Sequence, residues 1–252
     1  MKPTIAILLL FVALDVTLSI RVNVNDPSWR DPRSLHDQFK AFLESFSETL
    51  QTGNDTLGIP VLDPLDLKEQ PFVLNEDGVE ISGEVQGVKV DGLSVYEVGP
   101  AKFGLTKLVV GLTWPKLAGT VDKYTVEGNI GDFVPVQGSG DIKFTAKGLR
   151  FESTIYLKVG KNVQIRDMDT TLSLDSLDFV INGLYNDEEV SSLISTVISD
   201  MAPELLDGHQ DEITEVINNL VMEKVNDFLF DKSLKDLYAL LGNKGRSSLL
   251  RD

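Results

Sequence analysis

The apolar positions along this chain change period twice. Between residues 31 and 50 they recur every three or four places, and Leu35, Phe39, Phe42, Leu43, Phe46 and Leu50 share one helical face. Asp31 stands where a cap is wanted, and Pro32 suits the first helical position because the N–H it lacks would have no partner there. Gly53, Gly58, Pro60 and Pro64 then end the helix.

From residue 79 to residue 181 the period is two. Leu108, Val110, Leu112 and Trp114 alternate with more polar neighbours, as do Tyr124, Val126 and Ile130, and then Ile142, Phe144 and Ala146. Phe151, Ile155 and Leu157 continue the pattern, followed by Leu172 and Leu174 and by Leu177, Phe179 and Ile181. These predict about six or seven strands with one apolar face each. No helical stretch separates them to serve as a parallel crossover, so the pairing is read as antiparallel. Gly128, Gly131, Gly138, Gly140 and Gly148 within or beside the strands fit a strongly bent sheet.

After Tyr185 the helical period returns. Val190, Leu193, Ile194, Val197, Ile198 and Met201 form one stripe; Ile213, Val216, Ile217, Leu220, Val221, Val225, Phe228 and Leu229 form a wider one. Pro203 and Gly208 lie between, where a kink or break is expected. Residues 209–230 alone would make a rod of ~33 Å. A face so broad needs a large concave partner, and the preceding sheet is the candidate. The reading is an α+β fold: a long C-terminal helix wrapped by a highly curved antiparallel sheet, an elongated roll. Periodicity is the same for a solid and a hollow interior, so both stay open.

Composition narrows the function. With 39 acidic against 23 basic residues in 252, the formal charge is −16, and 42% of residues are hydrophobic. That surface repels polyphosphate and anionic headgroups, which argues against nucleic acid and against docking on anionic lipid. No segment after residue 19 comes near the ~18 continuous apolar residues that stable membrane insertion needs. The cysteine count is zero, which removes disulfides, thiolate metal sites and cysteine nucleophiles. Residues 1–19 read as a secretory signal: Lys2, the apolar run Ile5 to Leu14, then Thr17-Leu18-Ser19 at a plausible cleavage point. The run is too short to span a bilayer. Residues 20–252 are then one secreted domain, and Asn54-Asp55-Thr56 is its glycosylation sequon.

Catalytic patterns are absent. His36 and His209 have no metal-ligand or triad arrangement around them in sequence. Gly138-Ser139-Gly140 has Val136 where a nucleophile elbow needs glycine, and the strand-turn-helix context is missing; a lipid-ester hydrolase using Ser139 is the least supported reading. Glu188-Glu189 and Asp211-Glu212 open helical segments, where carboxylates suit the helix dipole better than a metal. What remains is apolar and aromatic surface, with 12 Phe, 5 Tyr and 2 Trp. A polar-poor interior in an acidic shell would hold a hydrophobic small molecule.

The chain resembles the insect takeout and haemolymph juvenile-hormone-binding family of tubular lipid-binding proteins. The likeness rests on Gly58-Ile59-Pro60 with Leu62-Asp63-Pro64-Leu65, on Gly119 to Gly128 with Lys123-Tyr124 and Val126-Glu127-Gly128, on Val134-Pro135-Val136 with Gly138-Ser139-Gly140, and on Asn182-Gly183-Leu184-Tyr185-Asn186-Asp187. It implies a helix wrapped by a curved sheet, an internal tunnel for a juvenile hormone-like terpenoid, a carotenoid or a fatty-acyl lipid, no catalysis, no other cofactor, and residence in haemolymph or epidermal or chemosensory fluid. Members usually carry a disulfide near the mature N-terminus that fixes the ligand portal; this cysteine-free chain lacks it.

Face assignment then names the expected lining: Leu108, Val110, Leu112, Trp114, Tyr124, Val126, Phe144, Phe151 and Ile155 from the sheet, with Val197, Ile198, Met201, Ile217 and Leu220 from the helices. Tyr124 and Thr125 are the candidates for a hydroxyl contact to the ligand. The other expectation is a solid-cored extracellular interaction or structural protein without a ligand.

Overall fold

The computed structural model describes residues 32–54, 59–76, 79–131 and 134–234. The expected leader, the capping Asp31 and most of the sequon lie outside the described residues. Asn54 is described: its backbone pairs with Ile59, closing the loop after the first helix.

Helix α1, Pro32–Thr52, forms where the three-to-four period predicts it. It stops at Gly53, whose φ of +68° is the left-handed turn that glycine adopts at little cost, and the Gly53 N–H donates back to Thr49 O at 2.9 Å. Among the described residues seven strands follow: β1 Leu65–Glu76, β2 Val79–Asp91, β3 Glu97–Phe103, β4 Lys107–Ile130, β5 Val134–Val159, β6 Val163–Ser173 and β7 Ser176–Ile181. They make one antiparallel sheet in the order β1-β2-β4-β5-β6. β3 also pairs with β4 and β7 also pairs with β5, each beside a different stretch of its long partner from β2 or β6. The sheet is therefore open, with β1 and β3 on one edge and β6 and β7 on the other.

Three strands differ from expectation. β4 and β5 are each continuous where the pattern of apolar residues suggested two separate strands. β3 pairs with β4 as far as Thr113 and β2 begins at Ala118, so Pro115, which has no N–H to give, sits in the gap between the two partners. The buried parity also changes along β4: Val110 and Trp114 are buried, then Leu117 and Val121, then Tyr124. The second shift is a bulge, with the register slipping between Val121 and Tyr124. Opposite it, Gly87 has φ +62°, and a Cβ there would lie 2.3 Å from Asp122 Oδ2. β1 was not anticipated, because Pro71 falls inside it. Proline is tolerated there since β1 is an edge strand.

Two helices follow β7, α2 Glu188–Gly208 and α3 Gln210–Leu229, broken at His209 as Pro203 and Gly208 led us to expect. Asp187 caps α2, its Oδ1 accepting from the Glu189 N–H at 2.8 Å and the Val190 N–H at 3.1 Å. Glu188 and Glu189 occupy the first turn of α2, and Asp211 and Glu212 that of α3. α1 lies against β3, α2 against β7 and α3 against β6.

One apolar cluster joins these parts. Phe39 and Leu50 of α1, Val85, Val88 and Val90 of β2, Trp114 and Tyr124 of β4, Phe151 of β5, Met168 of β6 and Ile217 and Val221 of α3 all belong to it. Aromatic contacts set its α1 end: Phe39 meets Phe103 edge-on at 5.6 Å, and Tyr96 meets Trp114 at 5.8 Å. The Tyr96 hydroxyl donates to Leu43 O at 2.5 Å, and burial pushes the phenol well above its ordinary pKa.

Candidate functional site

Eleven of the fourteen residues expected to line a ligand space are brought together. Val110, Trp114, Tyr124, Phe151 and Ile217 are buried; Leu108, Leu112, Val126, Phe144, Ile155 and Leu220 are half-buried and pack against them. The polar ends of the two largest are tied to backbone rather than presented inward. Trp114 Nε1 donates to Leu93 O at 3.0 Å, and the Tyr124 hydroxyl donates to Asn182 O at 2.8 Å. The Tyr124 proton is thus committed to a structural bond, leaving its oxygen only as an acceptor, and Thr125 is exposed.

The three residues from α2 are not brought in. Val197 and Met201 are each 42% exposed, and Ile198 is half-buried outside the apolar cluster. The reason is which face of α2 meets the sheet. Ser191, Ser195 and Ser199, one turn apart, point at the β7 side. Their Oγ atoms accept from the N–H groups of Leu184 at 3.0 Å, Ile181 at 3.0 Å and Phe179 at 2.9 Å. Each serine satisfies the outer side of the chain at or just beyond an edge strand that β5 pairs only from within.

α3 treats β6 the same way, with amides. Gln210 brackets Leu172, accepting its N–H at 2.6 Å and donating to its C=O at 2.8 Å. Asn226 does the same to Ile165, at 2.7 Å and 3.0 Å. Between them Asn218 donates to Met168 O at 3.1 Å and accepts from Thr170 Oγ1 at 2.5 Å. Thr170 has one proton and gives it to Asn218, so Ser153, 2.9 Å away, is the donor to Thr170. Sequence reasoning missed both rows by attending to the apolar stripes. The available signal was polar side chains at fixed intervals, four in α2 and eight in α3.

The motifs behind the family resemblance meet in space. Gly138 pairs with Leu184, the Ser139 N–H donates to Gly183 O at 3.2 Å, and the Tyr185 N–H donates to Gln137 O at 2.9 Å. Only glycine permits this approach: a Cβ on Gly140 would lie 2.0 Å from Asn182 O, and Gly183 has φ +80°. Ser139 is accordingly a mid-strand residue opposite Thr125, with none of the geometry of a nucleophile elbow. In the Leu62-Asp63-Pro64-Leu65 motif, the Asp63 carboxylate accepts from the Gly92 and Ser94 N–H groups, both at 2.8 Å, and from the Ser94 hydroxyl. It ties the start of β1 to the β2–β3 turn.

His36 is half-buried on α1, and His209 is exposed with Nδ1 3.3 Å from Glu212 Oε2. Among the described residues, none form a group of three or more that could hold a metal ion. A groove of about 900 Å³ between α2 and β7 is lined by Asp141, Asn182, Asp187, Ser192, Thr196 and Asp200 together with Phe179, Val180 and Ile181. Ile181 also packs against the margin of the apolar cluster.

The architecture is thus an open antiparallel sheet with helices laid along its edge strands and an apolar interior whose largest polar ends are tied to backbone. Residues 6–239 match the haemolymph juvenile hormone binding protein family, and the chain belongs to that family. Its members bind lipophilic molecules and are not enzymes. No curated protein matches the sequence. Among solved structures, Takeout 1 of Epiphyas postvittana superposes with a TM-score of 0.58 at 19% identity, over 82% of this chain and 95% of that one. The fold is the same. A lipopolysaccharide binding protein aligns over 76% of this chain and 38% of its own at 14% identity, with a TM-score of 0.37, too low to establish a shared fold.

Proposed function

We propose that this protein is a secreted carrier that encloses a juvenile hormone-like terpenoid, a carotenoid pigment or a fatty-acyl lipid between its sheet and its helices. The observation that carries the reading is the continuous apolar cluster running from Trp114 and Tyr124 through Phe151 to Ile217, in a chain of this family. Enclosing a ligand of about 15 to 20 carbons returns a gross gain of about 12 to 16 kcal/mol, at ~0.8 kcal/mol per methylene. Ordering and immobilisation reduce this to an affinity in the micromolar-to-nanomolar range. No ionic partner is needed, and the charge of −16 keeps a carrier of apolar cargo in solution. The leader-like residues 1–19 support export to extracellular fluid. Among the described residues no helix is long and apolar enough to cross a membrane.

The test is organic extraction of protein purified from its native source, with mass spectrometry of the extract. A single lipid class at a fixed ratio to protein is expected. A visible absorption band in the purified protein selects the pigment; its absence leaves the terpenoid and the acyl lipid. The reading of a solid-cored interaction protein draws on the near-complete burial of Val110, Trp114 and Phe151 by neighbouring side chains. If native mass spectrometry of delipidated protein incubated with mixed lipids shows no apolar ligand retained, that second reading replaces the first.

A further inference from the structure

We infer that α2 is a releasable strap over the β7 end of the apolar interior, and that its release from β7 sets the rate at which an apolar ligand enters and leaves. This rests on the carrier reading and adds a route to it. The only fully buried residues of α2 are Ser191 and Ser195, whereas α3 buries Ile217, Val221 and Leu229. Ile194 and Leu206 reach only the margin of the cluster, and Leu193, Val197, Met201 and Leu205 are exposed. α2 is therefore held to β7 chiefly by its serine row.

That row is built to part without leaving a buried polar group behind. Each serine hydroxyl donates one turn back within its own helix: Ser191 to Asp187 O at 2.7 Å, Ser195 to Ser191 O at 2.7 Å and Ser199 to Ser195 O at 2.8 Å. Release breaks the bonds from the strand N–H groups and the longer contacts of the serine Oγ atoms with the carbonyls of Leu184, Ile181 and Phe179, at 3.5, 3.4 and 3.3 Å, and an edge strand gives both kinds of group to water. The helix keeps its own bonds throughout. Pro203 removes the N–H that would bond Ser199 O, a weak point inside α2, and the break at His209 separates its motion from α3. At the other end the Gly138–Leu184 bridge and the Gly140–Asn182 contact fix the root. Beneath the strap, Phe179 and Ile181 of β7 pair with Phe144 and Ile142 of β5, so release opens beside Phe144, one of the expected lining residues.

The experiment follows uptake and release of the apolar fluorescent probe N-phenyl-1-naphthylamine by stopped flow, for the full chain and for its Ser195→Ala/Ser199→Ala variant. Losing two net hydrogen bonds raises the population of the released state by about tenfold or more. Both rate constants should rise by about that factor while Kd stays within about twofold, because the strap alters the path and not the bound state. Equal rates in the two proteins, with the probe bound by both, overturn the strap and leave the carrier reading intact. Loss of binding in a folded variant makes α2 a wall of the site and also overturns the strap. If the unsubstituted chain binds no probe, the carrier reading falls and the strap with it.

Hydrogen exchange gives a second readout without any substitution. Strand alternation turns the Val180 N–H toward β5 while those of Phe179 and Ile181 face the serines. Phe179 and Ile181 should exchange at least tenfold faster than Val180. Equal protection of all three overturns the strap.

Discussion

α2 and α3 are consecutive helices of 21 and 20 residues, each laid along an edge strand and each bonded to it by a row of polar side chains. They differ in what lies beside that row. α3 adds Ile217, Val221 and Leu229 to the apolar cluster; α2 adds no fully buried apolar residue. The comparison separates two tasks that edge helices perform. Sealing the unpaired N–H groups of an edge needs only a periodic polar row, while anchoring a helix needs apolar burial.

The largest expected effect is on the anchored side. Ile217 is 2% exposed, so Ile217→Ala should cost about 2–5 kcal/mol in urea denaturation, through lost transfer energy and the cavity left behind. A cost below about 1 kcal/mol would show that α3 is no better anchored than α2 and would erase the distinction.

Asn218→Ala comes next. It leaves Thr170 Oγ1 and Met168 O without their partner beside a buried Ser153, a loss of about 1–3 kcal/mol by the same measurement. Asn218→Asp sharpens the point: the acceptor for Thr170 survives while the donor to Met168 O is lost, so a smaller loss than for alanine would assign the energy to the Thr170 bond.

On the α2 side the effects should shrink. Ser195→Ala gives up the bond from the Ile181 N–H, which water replaces, and the hydroxyl's bond to Ser191 O within the helix, so about 1 kcal/mol or less is expected, partly offset by the better helix propensity of alanine. Destabilisation as large as that of Ile217→Ala would place the serine row among the anchors. Val197→Ser, on the exposed stripe, should fall within about 0.5 kcal/mol by thermal melting. A loss beyond about 1 kcal/mol would mean that the stripe is covered in solution.

Much of this architecture was legible in the sequence, for reasons visible in particular residues. Leu35, Phe39 and Leu50 are buried on α1 because a period between three and four can satisfy only a helix against a core. The break at His209 was legible because Pro203 and Gly208 both weaken helix locally. Leu108 to Trp114 and Tyr124 to Val126 share the inward side of β4 even though the strand changes parity between them. The spacing looked regular because two shifts, one near Pro115 and one at Asp122, cancel. The α2 stripe stays outside the apolar cluster because an apolar stripe shows that a face can be buried, not that the fold buries it. Val197 and Met201 satisfy the pattern and remain at the surface.

The sequence by itself determined the elements, the acidic apolar-cored class and the absence of disulfide support, since local period, charge and cysteine count are properties of the chain alone. Tertiary structure alone decided which polar side chains became edge partners. Serine at four-residue spacing and amides at eight-residue spacing are unremarkable until an edge strand lies beside them, because a hydrogen bond needs its partner in place and the partners of Ser195, Asn218 and Gly140 come from segments 14, 50 and 42 residues away.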